Sequence, residues 1–176
     1  MMFIGAYWGP RRESRERVAE RIAEFLQSLP NASGSLATWY TKGQSRASAK
    51  ALIVATPDKI ASRLKTNRRE DNDEIMSELG FSIGAWNGGH ASLHATIGAF
   101  TPYIGNSVVL SYDESSLDLS RSECRDVLES AVRAFDPDKA VATSSEYVTR
   151  MGCGQPWEAG MLTYTRGGKI EEHSIT

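Results

Sequence analysis

The sequence predicts an α+β fold in which amphipathic helices pack on a largely antiparallel sheet with a central meander. Two segments with helical periodicity, 12–30 and 120–135, are separated by short β-rich runs. Three such runs follow one another between residues 81 and 113, with turn-forming residues after the first. The 176 residues are about the length of one domain, so we assign 1–176 to a single domain and leave the tail 167–176 undefined.

The first half of the chain begins with a strand and an amphipathic helix. The run "MMFIGAYWG" is short and aromatic, and it ends at Gly9-Pro10, as a strand does. Val18, Ile22 and Leu29 then recur at helical spacing, and Pro30 ends the helix. A strand is predicted over 35–43 ("SLATWYTKG"). Residues 45–56 could form a helix or a strand, and their alanines favour the helix. A further helix is predicted to begin at Pro57, with Thr56 as its N-cap.

The second half contains the predicted meander. A short helix is expected over Asp71–Leu79, with Gly80 as its C-cap. The strands "FSIGAW" and "ASLHATIGAF" flank Asn87-Gly88-Gly89, residues that are typical of a hairpin turn. The run "NSVVLSYD" follows as the third strand. A helix with a capping box then begins at Ser120 and ends before Asp136-Pro137, and the later strands are "AVATS" and "GMLTYTRG".

The two histidines of the meander, His90 and His94, have the HxxxH spacing of helical metal sites. In a strand at ~3.3 Å per residue they lie about 13 Å apart, too far to bind one ion. The glycines before them and the β-branched residues after them favour a strand. We therefore expect no metal ligands and no cofactor here, and the lone Cys124 and Cys153 form no zinc motif either.

Short motifs typical of enzymes are present only as fragments. Ser62 and Lys65 have the SxxK spacing of serine acyl enzymes, but the companion SDN and KTG elements are missing. Gly152-Cys153-Gly154 lacks the third glycine of a dinucleotide-binding loop. No catalytic residue is assigned, and the sequence favours a protein that is not an enzyme.

Two groups of residues are candidates for binding another protein. An acidic run places carboxylates on one predicted helical face, which is either a solvated face or a surface that docks on a basic partner. Adjacent aromatic residues at strand ends point to opposite faces of the sheet, so either one ring of each pair is exposed and can anchor a partner, or helices cover both faces and all the rings are core. The candidates are Asp71, Asp73, Glu74, Glu78, Trp8, Trp39 and Trp86.

Four stretches together resemble the immunity protein 52 family, whose members accompany bacterial polymorphic toxins. They are "GAYWGPRRES" (5–14), "WYTKGQSRASA" (39–49), "NRREDNDEIMSELGFSIGAWNGG" (67–89) and "FDPDKAVATSSEY" (135–147). They occur in order over most of residues 3–165. The resemblance implies a cytoplasmic α+β protein that binds and neutralises a toxin encoded by a neighbouring gene. It further implies restriction-endonuclease-like nucleases, delivered by type VI or related contact-dependent secretion, as the toxins. It supplies neither catalytic residues nor a binding surface.

The alternative is a small hydrolase or ligand-binding enzyme whose site is assembled from residues distant in sequence, His90 and His94 among them. Nucleic-acid binding through "KTNRRE" is disfavoured because an acidic run follows at once and the net charge is −2. The N-terminus resembles no signal peptide, and no apolar run has the ~20 residues that cross a bilayer, so a cytoplasmic protein without membrane contacts is expected. The sequence leaves self-association open.

Overall fold

A computed structural model describes residues 1–30, 36–41, 51–67, 75–89, 91–115, 117–152 and 159–173. Within these ranges, the strands are β1 (Met2–Trp8), β2 (Tyr40–Thr41), β3 (Lys65–Thr66), β4 (Phe81–Trp86), β5 (Ala91–Ile97), β6 (Asn106–Tyr112), β7 (Lys139–Ser144), β8 (Leu162–Thr165) and β9 (Glu171–Glu172). The helices are α1 (Arg15–Ser28), α2 (Pro57–Arg63), α3 (Arg121–Phe135) and α4 (Ser145–Arg150), and a 3₁₀ helix spans Ser77–Leu79.

All strand pairs in the sheet are antiparallel, and the predicted α+β class is confirmed. The strand order is β2-β4-β5-β6-β1-β7-β8-β9, with β3 also paired to β4. The meander β4-β5-β6 is as predicted. The N-terminal strand β1 lies between β6 and β7, so residues far apart in the chain form the centre of the sheet.

The two long helices begin where their capping residues indicate. Ser14 accepts a hydrogen bond from the backbone N–H of Arg17 at the start of α1. Ser120 and Glu123 form a complete capping box at the start of α3. Asp136 ends α3 in the left-handed region at φ 46°, a conformation in which a short polar side chain is tolerated.

The core lies between one face of the sheet and helices α1 and α3. Trp8 of β1 stacks on Phe135 of α3, with ring centroids 5.6 Å apart. Phe25 of α1 meets the same ring at 5.5 Å. Ile4 and its strand neighbours Leu110 and Ala142 point to the same side and are fully buried. This face is therefore the packed one.

The helix predicted over 71–79 is wrong for the residues that the structure describes. Residues 71–74 lie outside them, and from Ile75 onward the chain contains only the 3₁₀ helix. Its backbone N–H groups bond elsewhere: Met76 N–H donates to the carbonyl of Asn67, and Leu79 N–H donates to the carbonyl of Met76, three residues back. These bonds replace the i→i−4 bonds that the same N–H groups would make in an α-helix. Gly80 does end the segment, at φ 67°.

The segment before α2 is extended where it is described, so the helix favoured over 45–56 is wrong at 51–56. The backbone of Ala51 and Ile53 bonds to that of Thr41 and Trp39, respectively. The strand predicted over 35–43 shrinks to Tyr40–Thr41, with residues 35, 42 and 43 outside the described ranges. Pro57 begins α2 as expected, although the Thr56 side chain makes no cap bond. The sequence did not predict α4, β3 or β9.

Cys124 of α3 is buried against Tyr112 of β6, with Sγ 3.3 Å from the phenol oxygen. Burial raises the pKa of the Cys124 thiol, and burial followed by the contact with Cys124 raises the pKa of Tyr112. Both groups therefore stay protonated in the folded chain after the unfolded chain has begun to lose its protons.

We expect the free energy of unfolding to fall as the pH rises above about 8.5, the ordinary pKa of a thiol. Below that pH the stabilisation is complete, because the Cys124 thiol is protonated in both the folded and the unfolded chain. It is lost as the pH rises toward the raised pKa of the thiol in the folded chain. Urea titrations at several pH values between pH 7 and 10 measure the decline. The variant Cys124→Ala should have a flatter profile, and equal slopes for the two proteins would contradict the assignment.

Candidate functional site

The second face of the sheet is only partly covered. On β4, β5, β6 and β1, the side chains that point away from α1 and α3 are half-buried or exposed. We call this set the open face; its residues are Phe3, Tyr7, Ser82, Gly84, Trp86, Ser92, His94, Thr96, Ser107, Val109 and Ser111. The register arranges these residues, together with the buried Gly5, in three cross-strand rows: Ser82–Thr96–Ser107–Tyr7, Gly84–His94–Val109–Gly5 and Trp86–Ser92–Ser111–Phe3.

The same face is covered farther along, at β7. Val141 and Thr143 of β7 are buried there, although they lie on the same side as Tyr7 and Phe3. Gly160 packs so closely on Val141 that a Cβ on the glycine would lie 2.1 Å from Val141 Cγ2. Tyr147 of α4 is buried beside it. The open face therefore begins at β1 and extends through the meander.

Small polar and aromatic side chains make up the open face. Ser92 and Ser111 share a hydrogen bond of 2.9 Å across β5 and β6. The ring of Tyr7 lies over Gly5, where a Cβ would come within 2.4 Å of the phenol oxygen. Burial raises the pKa of Tyr7, which keeps the phenol protonated to a higher pH than in an exposed tyrosine. Tyrosine, serine and glycine together are typical of protein-binding surfaces.

An apolar margin bounds the open face at β2. The rings of Tyr40 and Trp86 lie 6.4 Å apart in a tilted arrangement. Leu52 forms a bridge with Tyr40 and is therefore on the same side of the sheet. Its side chain is 50% exposed.

The loop of residues 101–105, between β5 and β6, carries the most exposed aromatic residue among the described large hydrophobic residues. Tyr103 is 92% exposed and Ile104 is 38% exposed. Below them Asn106 is buried, and its side-chain amide donates to the carbonyls of Gly9 and Ala99 at 2.7 and 3.0 Å. Its side-chain oxygen accepts from Ala99 N–H at 2.8 Å. The loop is thus anchored at its base, next to Ser107 of the open face.

A buried ion-pair cluster holds the start of α1 on the opposite side of the molecule. Oε1 of Glu13 lies 2.8 Å from Nε of Arg21 and 3.5 Å from Nε of Arg11. The Glu13 side chain is only 6% exposed. Burial lowers the pKa of Arg11, while Glu13 acts in the opposite direction. These groups hold elements together and present no reactive atom to the open face.

A model of the immunity protein 52 family matches residues 1–165. The chain belongs to the immunity protein 52 family. It has no significant match among the curated proteins with which it was compared. Membership makes it an immunity protein, and immunity proteins act on a toxin partner.

The predicted aromatic anchors of this immunity protein occupy different environments. Trp8 and Trp39 are in the core, 4% and 3% exposed, because Trp8 stacks on Phe135 and Trp39 donates from Nε1 to the Leu36 carbonyl. Trp86 is half-buried on the open face. In each adjacent aromatic pair, Tyr7-Trp8 and Trp39-Tyr40, the accessible ring belongs to the tyrosine.

Of the acidic candidates, the structure describes only Glu78. It is half-buried in the 3₁₀ helix, and its carbonyl is bound by Phe100 N–H, one residue before the loop of residues 101–105. Asp71, Asp73 and Glu74 lie outside the described residues. Toxin binding by all seven candidates stays a prediction.

Sequence reasoning missed the loop of residues 101–105. Its "TPYIG" string combines turn-forming Pro102 and Gly105 with two apolar residues at the tip. Large apolar residues between turn residues were the signal available for it.

The potential metal ligands of the part of the chain that the structure describes are dispersed. Among them, no group of three or more His, Cys, Asp or Glu side chains is arranged to hold a metal ion. His94 is exposed on the open face, and His90 lies outside the described residues. No helix within the described ranges is long and apolar enough to cross a membrane.

Proposed function

We propose that this immunity protein binds and neutralises a restriction-endonuclease-like nuclease toxin, delivered by type VI or a related contact-dependent secretion system. Family membership over residues 1–165 is the observation that carries the immunity role. The nuclease class and the delivery route rest on the resemblance of the four sequence stretches. The proposed partner is the toxin encoded by a neighbouring gene, and the proposed place of action is the cytoplasm.

The acidic run supports a nuclease as the partner. A nuclease binds DNA phosphates, so its cleft carries positive charge. Asp71, Asp73, Glu74 and Glu78 supply four carboxylates within eight residues. We propose that they contact this basic surface and speed association with it.

Co-expression tests the proposal directly. The C-terminal domain of the large neighbouring toxin gene is expressed in the cytoplasm with and without this protein, and survival, chromosomal DNA integrity and co-purification are scored. Rescue with a stable complex and intact DNA is the expected result. Toxicity without DNA damage would refute the nuclease class alone. Toxicity without rescue or complex formation would refute the pairing of this immunity protein with that toxin and would favour the enzyme alternative.

Reversing the acidic run to lysine at residues 71, 73, 74 and 78 should weaken toxin binding by orders of magnitude at low salt. The loss should shrink at high salt, because added ions screen exposed charges over about 10 Å at 0.1 M. The melting temperature should change little. Titration calorimetry with a catalytically inactive toxin domain measures the affinity.

The matched control reverses four exposed carboxylates, Glu20 and Glu24 on α1 and Asp126 and Glu129 on α3. This control changes charge on the helix-covered side of the sheet and should leave the affinity near that of the unmodified protein. Equal affinities for the acidic-run variant and the control would rule the acidic run out.

A further inference from the structure

We infer that the open face, with Tyr103 and Ile104 at its margin, is the docking surface for the folded toxin domain, and that it binds a neutral, polar and apolar epitope. This inference rests on the proposed immunity function and names the surface that performs it. It does not depend on the acidic run.

The first support is the difference between the two faces of one sheet. Helices cover one face, and α4 with Gly160 covers the β7 end of the other, but the residues of the open face keep accessible surface. Exposed apolar groups lie at opposite margins of this region: Leu52 at β2, and Tyr103 with Ile104 at the β5–β6 loop. Exposed aromatic and aliphatic side chains beside an accessible sheet face can anchor a protein partner.

The second support is rigidity. The open face is built on paired strands, and Asn106 anchors the base of the loop of residues 101–105 through three hydrogen bonds. Tyr7 is supported from below by Gly5. Aromatic side chains held in place before binding lose little conformational entropy on association, so more of their contact energy appears as affinity.

The third support is the charge distribution, which selects the occupant. The residues of the open face include no Asp, Glu, Lys or Arg. Lys65 and Lys139 are exposed at its margins, opposite Ser82 and Tyr7 in the register. Interface centres are depleted in charge, so a neutral epitope fits the centre, and acidic groups on the toxin fit the lysines. A phosphate-binding cleft would instead be repelled by both lysines.

The loop also lies next to Glu78, the described residue of the acidic candidates. Glu78 is tied through its carbonyl to Phe100, and the loop of residues 101–105 begins at the next residue. A toxin that contacts Glu78 can therefore also reach Tyr103 and Ile104 at the margin of the open face.

The test compares variants at the open face with matched variants elsewhere. Tyr103→Ala with Ile104→Ala removes the exposed anchors, and Ser107→Arg places a bulky charge between the loop and Tyr7. Glu129→Ala is the truncation control, since Glu129 is exposed on α3, on the helix-covered side of the sheet. Ser62→Arg on α2 is the matched charge control, since Ser62 is exposed.

Titration calorimetry with the catalytically inactive toxin domain gives the affinities, and circular dichroism checks each fold. We expect the double variant to raise Kd at least tenfold and Ser107→Arg to raise it about a hundredfold, the range of interface hot spots. Both losses should persist at high salt, unlike the loss for the acidic run. The two controls should bind like the unmodified protein.

The other possible results contradict different parts of the proposal. Unchanged affinity of both open-face variants, with the unmodified protein still binding, overturns the surface assignment and leaves the immunity role intact. If the unmodified protein does not bind the toxin domain, both the surface assignment and the immunity role are overturned. Size-exclusion chromatography tests whether a second copy of this protein binds the open face instead. A dimer that dissociates in the open-face variants, without loss of toxin affinity, would overturn the toxin as the partner at this surface. Tyr103 is 92% exposed, so its variant keeps the test decisive even if Ser107→Arg fails to fold.

Discussion

Replacing Phe135 by alanine should lower the free energy of unfolding by about 3–5 kcal/mol. Phe135 is fully buried at the end of α3, and its ring stacks on Trp8 at 5.6 Å with an interplanar angle of 15°. Phe25 contacts the same ring at 5.5 Å. Removing it opens a cavity where α1, α3 and β1 meet, and a packed core collapses only partly into such a space.

Urea denaturation followed by tryptophan fluorescence and circular dichroism measures this loss. Phe135→Leu should cost less because it keeps most of the apolar volume. Tyr103→Ala is the exposed aromatic control and should change stability by less than about 0.5 kcal/mol. Similar losses for Phe135→Ala and Tyr103→Ala would contradict the placement of the core.

Replacing Glu13 by alanine should destabilise the fold by about 1–3 kcal/mol, because it removes a buried carboxylate from two partly buried arginines. Glu13 has a side chain only 6% exposed, and its Oε1 pairs with Arg21 at 2.8 Å and with Arg11 at 3.5 Å. Arg21 also donates to the Ala134 carbonyl and Arg11 to the Phe135 carbonyl, so the cluster joins α1 to the end of α3.

The control is Glu20→Ala, which breaks an exposed pair with Arg17 at 2.9 Å. Exposed pairs contribute at most about 1 kcal/mol, so this variant should unfold at nearly the same urea concentration as the unmodified protein. Adding Arg21→Ala to Glu13→Ala should recover part of the loss, since it removes one unpaired cation. Equal losses at Glu13 and Glu20 would show that the cluster is solvated.

The sequence alone predicted the elements that local interactions specify. Helix α3 was predicted at both ends because a capping box at Ser120 and a proline after Asp136 act within a few residues. The meander followed from alternation and from the turn at Asn87-Gly88-Gly89. The α+β class and the family also needed only the sequence, since hydrophobic patterns and the four family-like stretches are properties of the chain.

The predictions that failed depended on partners distant in the chain. Carboxylates at helical spacing predicted a helix through Leu79, but the described part of that segment bonds to Asn67 and Phe100 instead. The alanines of 51–56 favoured a helix, but pairing with Trp39 and Thr41 makes the segment extended. Local propensity amounts to a few tenths of a kcal/mol per residue, and several long-range hydrogen bonds outweigh it.

The binding surface shows the same division. The sequence determined that aromatic residues flank strand ends and that adjacent ones point to opposite faces, but it could not say which face the helices would cover. That was decided by the packing of Phe135 on Trp8, with Phe25 against Phe135, which buries the even-numbered side of β1 and leaves Tyr7 on the other. The placement of β1 between β6 and β7 likewise joins residues more than 100 positions apart. Family and local elements are thus properties of the sequence, whereas the open face exists only because burial of one side of the sheet is a tertiary event.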